Sequence, residues 1–198
     1  MSDRQVGVLG LQGDFALHAE LLAGLGVGVR KVRRPEELAG CDGLVLPGGE
    51  STTLRKLLRR SGLDAAIAEF AAQRPVLGTC AGCILLATDL DDAGGVEPLG
   101  LLDITVRRNG YGRQIDSFEA HLVLVGEKAT SADAVAFIRA PRILRVGAGV
   151  EVWGSLDGEA VAVRRGGIAA LTFHPEVTGD TRWHRAWLDG FAVAERSS

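Results

Sequence analysis

Gly78-Thr79-Cys80-Ala81-Gly82 sets a thiol between two glycines, where a buried apolar run (75–79) meets an apolar segment of helical character (81–87). A sharp strand-to-helix junction of this kind is a nucleophile elbow with cysteine in the place of serine. The glycines permit a tight turn and keep bulk away from the sulfur. A thiol at a helix N-terminus meets the positive end of the dipole, which favours the thiolate. The backbone N–H of Ala81 points towards an oxyanion formed on a substrate bound to that sulfur. A buried structural cysteine beside a tight turn fits this motif alone equally well.

A thiolate nucleophile needs a base, and four histidines compete for the role. His18 falls on the apolar side of its helix and reads as a satisfied, partly buried residue. His121 lies in a strand-like run and His184 in the last helix, and neither has a carboxylate spaced to orient it. His174 opens His174-Pro175-Glu176 directly after an apolar run. In an extended segment residues i and i+2 face the same way, so Glu176 is expected to steer the imidazole. Cysteine, histidine and carboxylate then form a triad in the order Cys80, His174, Glu176. The third element is Leu46-Pro47-Gly48-Gly49-Glu50-Ser51-Thr52. Its paired glycines expose backbone N–H groups that suit an oxyanion, with Gly49 and Ala81 as the donors. A plain loop capped by Ser51 or Thr52 is the alternative.

The elements that must position these groups alternate in the first half. Strands are expected at 6–11, 28–32, 43–47 and 75–79. Helices are expected from Phe15 to about Leu25, at 52–60, at 63–72 and at 81–87. Apolar strands alternating with helices imply a parallel sheet covered on both faces. The crevice of such a sheet lies at the carboxyl ends of its strands, where Cys80, Gly48-Gly49 and His174 all fall. The second half reads as strands at 102–107, 119–125, 134–138, 150–153, 160–164 and 168–173. Asp157-Gly158 and Gly166-Gly167 serve as hairpin turns. A closing helix near 182–195 carries Trp183, Trp187 and Phe191 as a one-sided stripe. No linker or repeat interrupts the chain, so residues 1–198 are expected to form one domain.

Composition narrows the class. Hydrophobic residues make up 46% and charged residues 24% of the 198, the balance of a soluble globular protein. A net charge of −3 leaves no electrostatic footprint for nucleic acid or an acidic membrane surface. No apolar run approaches the roughly 20 residues that span a bilayer, and the first residues contain no apolar core of a signal peptide. Three cysteines, Cys41, Cys80 and Cys83, argue against a disulfide framework and for a reducing, cytoplasmic setting.

These residues resemble the class I, triad-type glutamine amidotransferases. Further blocks are similar to the glutaminase subunits of pyridoxal 5′-phosphate synthases. They are Val8-Leu9-Gly10-Leu11-Gln12-Gly13, Arg108-Asn109, Tyr111-Gly112-Arg113-Gln114, Asp116-Ser117-Phe118-Glu119 and Phe137-Ile138-Arg139-Ala140-Pro141. The resemblance implies a three-layer, flavodoxin-like α/β fold with a mostly parallel central sheet and added antiparallel strands. It implies L-glutamine as substrate, contacted by Gly48, Gly49, Glu50, Arg108, Ile138 and Arg139. It also implies a lyase (synthase) subunit as partner in a large hetero-oligomer, and no metal or organic cofactor. The Gln12-Gly13-Asp14 loop and the Arg-Asn/Gly-Arg-Gln region are expected to face that partner. Arg108 suits the α-carboxylate of glutamine, whereas Glu50 can meet its ammonium or cap the next helix.

The expected chemistry is attack of Cys80 on the carboxamide, ammonia release through His174, and hydrolysis of a γ-glutamyl thioester. Other readings are a glutaminase serving another synthase, such as imidazole glycerol phosphate synthase, or a binding subunit without chemistry. A thiol redox protein using Cys80-x-x-Cys83 is the remaining one. Cys83, on an apolar helix one turn beyond Cys80, is expected to be a small buried hydrophobe instead.

Overall fold

The structure is a computed structural model that describes residues 4–92, 94–110, 117–122 and 134–195, the last five as backbone only. Strands β1 (Gln5–Leu9), β2 (Gly28–Val32), β3 (Gly43–Leu46) and β4 (Val76–Thr79) alternate with helices α1 (Phe15–Gly24), α2 (Ser51–Ser61) and α3 (Leu63–Ala71). Helix α4 (Ala81–Leu86) leads straight into β5 (Ala87–Leu90), followed by β6 (Leu102–Arg107), β7 (Ser117–His121), β8 (Ala134–Ile138) and β9 (Arg142–Val146). Strands β10 (Glu151–Leu156), β11 (Glu159–Arg165) and β12 (Ile168–Leu171) precede the short α5 (Pro175–Thr178) and α6 (Arg182–Glu195).

The main sheet has the order β10-β11-β12-β4-β3-β1-β2. Its strands from β12 to β2 pair in parallel, and β11 and β10 add antiparallel neighbours at one end. The remaining strands form a sheet β5-β6-β9 and a pair β7-β8. Parallel strands covered on both faces must be apolar throughout, and β3 and β4 are buried at every position. Side chains alternate between the two sides of a strand. Leu44 and Leu46 accordingly enter one core with α2, α3 and α4, while Val45 enters the other with Trp153, Phe173 and Trp183. Helices therefore cover both faces, which is the three-layer arrangement. Among the described residues no helix is long and apolar enough to cross a membrane.

The elements differ locally from those expected. The apolar run after Cys80 ends its helix at Leu86, because Ala87 pairs with Leu102 and opens β5. Strand β9 is missing from the periodicity because Arg142 and Arg145 interrupt it, although both pair across strands with Glu159 and Asp103. Strand β7 starts at Ser117, ahead of the expected 119, and residues 123–125 lie outside the described part. So do Tyr111-Gly112-Arg113-Gln114, Asp116 and the side chain of Phe191. Finally, Pro175–Thr178 is a helical turn, not an extended segment.

Candidate active site

Cys80 joins β4 to α4 with φ 48° and ψ −102°, a left-handed conformation that an L-residue adopts at a cost of about 1–3 kcal/mol. The backbone around it is fixed by the Cys80 N–H donating to the Leu171 carbonyl (2.9 Å) and the Ile84 N–H donating to the Cys80 carbonyl (3.2 Å). The strain sits on the cysteine itself, and the flanking glycines serve a different purpose from the expected turn. A Cβ on Gly82 would lie 2.0 Å from the Leu46 carbonyl oxygen, and one on Gly78 would lie 2.6 Å from the Gly82 backbone. They let α4 press directly onto β3 and β4, which brings its first turn to the strand ends. The Ala81 N–H belongs to that first turn and has no acceptor within the helix.

His174 is held from two sides. Its backbone N–H donates to the Ala136 carbonyl on β8 at 2.8 Å. Its Nδ1–H donates to Glu176 Oε1 at 2.7 Å, and both side chains are buried. The turn at Pro175 brings the carboxylate back under the ring, so the pairing foreseen from an i, i+2 extended geometry is achieved by a helical turn. With Nδ1 engaged, Nε2 remains for the Cys80 sulfur. Burial alone would lower the His174 imidazole. Hydrogen bonds to Cys80 and Glu176, with the charges of both, outweigh it and hold the ring up at about 10. Burial likewise pushes Glu176 up, but hydrogen bonds from His174 and His18 hold it well below the usual carboxylate range.

These groups open on a cavity of about 190 Å³ lined by Gly49, Glu50, Cys80, Arg108, Ile138, Arg139 and His174, among others. One water takes roughly 30 Å³ of liquid, so the cavity has room for a small amino acid. Cys80 and His174 line it, and Glu176 stands behind His174. Gly48 does not line it, but presses on the triad: a Cβ there would come within 2.4 Å of His174 Cε1. Gly49 has φ 150°, and the next N–H, of Glu50, donates to Gln12 Oε1 at 3.2 Å. The loop before α1 is thereby tied to the candidate oxyanion loop.

Arg108 turns inward beside Thr52 (3.5 Å) and Glu50 (3.9 Å), while Arg107 faces outward to Asp91. Glu50 occupies the N-cap position of α2, but its side chain makes no capping bond. Its carboxylate lies on the cavity side with Arg108. Ile138 contributes its carbonyl, 3.9 Å from the Cys80 sulfur, and Arg139 has a left-handed φ of 43°.

Cys83 is fully buried in the core, and burial followed by the charge of Cys80 pushes its thiol far up. Cys41, Cys80 and Cys83 are all free thiols. Asp14, His174 and Glu176 hold metal-type donor atoms within 4.8 Å of one another. An ion there would compete with the His174–Glu176 hydrogen bond.

Two buried residues behind the triad were not foreseen. His18, on α1, lies 3.4 Å from Glu176 Oε1, and its other ring nitrogen is 3.0 Å from His184 on α6. The apolar side of α1 gave away the burial of His18, but no spacing relates residues 18, 176 and 184.

Comparison with known proteins shows the family and the fold. The model of the SNO glutamine amidotransferase family matches residues 8–192. Pyridoxal 5′-phosphate synthase subunit PdxT of Cutibacterium acnes is 51% identical over 193 residues, covering 92% of this chain and 94% of that protein. The subunit of the same name from Mycobacteroides abscessus is 51% identical, covering 93% and 95%. A crystal structure described as a glutamine amidotransferase superposes with a TM-score of 0.89 at 42% identity, covering 94% of this chain and 98% of that one. PurLQS from Thermotoga maritima, at 18% identity and a TM-score of 0.65, covers 95% and 99% and shares the fold.

Proposed function

The chain belongs to the SNO glutamine amidotransferase family, and from that premise we propose that it is a glutaminase feeding ammonia to pyridoxal 5′-phosphate synthesis. Its relatives carry the name of a pyridoxal 5′-phosphate synthase subunit along nearly their whole length. The observation that carries the chemistry is the hydrogen bond of His174 Nδ1 to buried Glu176, which leaves Nε2 for Cys80 in the cavity that both residues line.

In this mechanism the Cys80 sulfur, paired with the His174 imidazolium, attacks the carboxamide carbon of L-glutamine. The N–H groups of Ala81 and of the Gly49 region hold the oxyanion. His174 gives its Nε2 proton to the departing nitrogen, ammonia leaves, and a γ-glutamyl thioester remains. His174 then takes a proton from water, which attacks the thioester and releases L-glutamate. Glu176 keeps Nδ1 protonated through both steps, so that Nε2 is the nitrogen that exchanges protons. Arg108 binds the α-carboxylate, Glu50 faces the α-ammonium, Ile138 and Arg139 shape the remaining wall, and Gly48 packs behind it against His174.

Ammonia set free in water would be protonated and lost to a synthase, which is the reason for a subunit arrangement. The partner in this reading is a lyase subunit in a hetero-oligomer, docked near Gln12-Gly13-Asp14 and Arg108-Asn109. The test is glutamate release by the chain alone and with a pyridoxal 5′-phosphate synthase lyase subunit. The expected result is a rate that rises on adding the partner. No release in either condition would leave a binding subunit, or a different synthase, as the better reading.

A redox role for Cys80 and Cys83 finds no support in the geometry, since Cys83 is sealed in the core. Such a protein would lose activity in Cys83→Ala, a change the glutaminase is expected to tolerate.

A further inference from the structure

We propose that His18 and His184 are positioning residues of this enzyme, a buried pair that fixes the Glu176 carboxylate and, through it, the His174 ring. The two come from opposite ends of the chain, on α1 and α6, and both are completely buried. His18 Nδ1 lies 3.0 Å from His184 Nε2. The other nitrogen of His18 lies 3.2 Å from Thr79 Oγ1 and 3.4 Å from Glu176 Oε1. Three buried imidazoles and a carboxylate are costly unless they satisfy one another.

The direction of the hydrogen bonds follows from what each atom can do. An ionised carboxylate only accepts, so His18 Nε2 carries a hydrogen, shared between Thr79 Oγ1 at 3.2 Å and Glu176 Oε1 at 3.4 Å. In a neutral ring Nδ1 then accepts, and His184 Nε2 donates to it. This leaves His184 Nδ1 as a bare acceptor, and that atom is buried without a hydrogen-bond partner among the described residues. The reverse polarity would bury an orphaned N–H there. Burial lowers the His184 imidazole to about 3, so it stays neutral.

Among the described residues Glu176 Oε2 is also buried without a partner. Every hydrogen bond found for the carboxylate therefore falls on Oε1, from His174 on one side, with His18 approaching on the other. Removing His18 leaves one donor. His18 also touches Thr79, the residue before the nucleophile, so α1 is coupled to both the elbow and the orienting acid. Among the described residues the ionisable groups around His174 and Glu176 are Cys80 at the start of α4, Asp14 ahead of α1, His18 on α1 and, behind it, His184 on α6, with Glu50, Arg108 and Arg139 lining the same cavity as His174.

The inference rests on the triad reading above and is tested apart from it. The full chain holds four histidines, few enough to follow individually by NMR with labelled imidazoles. The titration of His174 is measured in the unaltered protein, in His18→Leu, in His18→Gln and in His184→Leu. Turnover of glutamine in the complex with the lyase subunit is measured alongside. With His18→Leu the His174 titration is expected to fall by about one pH unit, because its carboxylate partner is less firmly ionised. The expected drop in kcat is about tenfold, with KM changed less than about twofold, since His18 does not line the cavity. His18→Gln, which keeps an N–H donor, should restore most of both, and His184→Leu should move both less in the same direction. A folded His18→Leu with unmoved His174 titration and kcat overturns the proposal. If His18→Leu does not fold, an unmoved titration in His184→Leu overturns it instead. Absence of turnover in the unaltered protein would count against the glutaminase reading and leave the NMR comparison intact.

Discussion

Gly48→Ala is a sharp probe of the site because its effect is steric alone. The Gly48 backbone is not in the left-handed region, so alanine can adopt it. The added Cβ would stand 2.4 Å from His174 Cε1, 3.1 Å from Nδ1 and 3.4 Å from Nε2. Carbon atoms rest at about 3.5–4.0 Å, so the ring must retreat by roughly 1 Å. That movement stretches the 2.7 Å bond to Glu176 towards or beyond the usual hydrogen-bond range, whose upper end is about 3.2 Å. A displacement of this size in a catalytic group costs on the order of 100-fold in rate. Overpacking adds roughly 1–3 kcal/mol of destabilisation, a fall of several degrees in melting temperature for a chain of this size. The assay is steady-state glutamate release in the presence of the lyase subunit, with a thermal melt of the same sample. Turnover within about threefold of the unaltered protein, with a native melt, would refute the packing of Gly48 against His174 as a determinant of the rate.

Further outcomes follow from the same geometry. Gly82→Ala places a Cβ 2.0 Å from the Leu46 carbonyl and should lower stability by roughly 1–3 kcal/mol or more, read as a lower urea midpoint; an unchanged midpoint would contradict the close packing of α4. Arg108→Met should raise KM for glutamine by about tenfold or more with a smaller effect on kcat, measured by glutamate release. Stability should decline as pH falls below about 6.5, by up to about 1.4 kcal/mol per unit. Unfolded His184 binds a proton there that the folded ring, lowered to about 3, refuses. Glu176, held below its ordinary value, adds its share once pH drops below about 4.5. Urea midpoints from pH 8 to 4 check this, and His184→Leu should flatten the upper part of the curve.

Much of the site was legible because its groups lie at strand ends, where apolar runs stop abruptly at glycine, cysteine or histidine. Cys80, Gly48-Gly49 and His174 each follow such a run, and a parallel sheet gathers its strand ends on one edge. Local backbone detail was less legible. Gly78 and Gly82 read as turn glycines but serve helix-to-strand contact, a tertiary demand that leaves no separate mark in the sequence. His174-Pro175-Glu176 reads as extended, and Pro175 instead opens a helical turn. The link from His18 to His184 spans 166 positions, so no periodicity reports it. Strands β5 and β9 escaped because their pairing with β6, not their own composition, makes them strands.

The proposed glutamine hydrolysis depends on Cys80 as its nucleophile. Its most direct test is reaction of the chain with a glutamine analogue bearing an electrophilic chloroketone, followed by peptide mapping. One adduct is expected, on Cys80, protected by glutamine and absent in a folded Cys80→Ala that releases no glutamate. An adduct on Cys83 or Cys41, or glutamate release by Cys80→Ala, would contradict it.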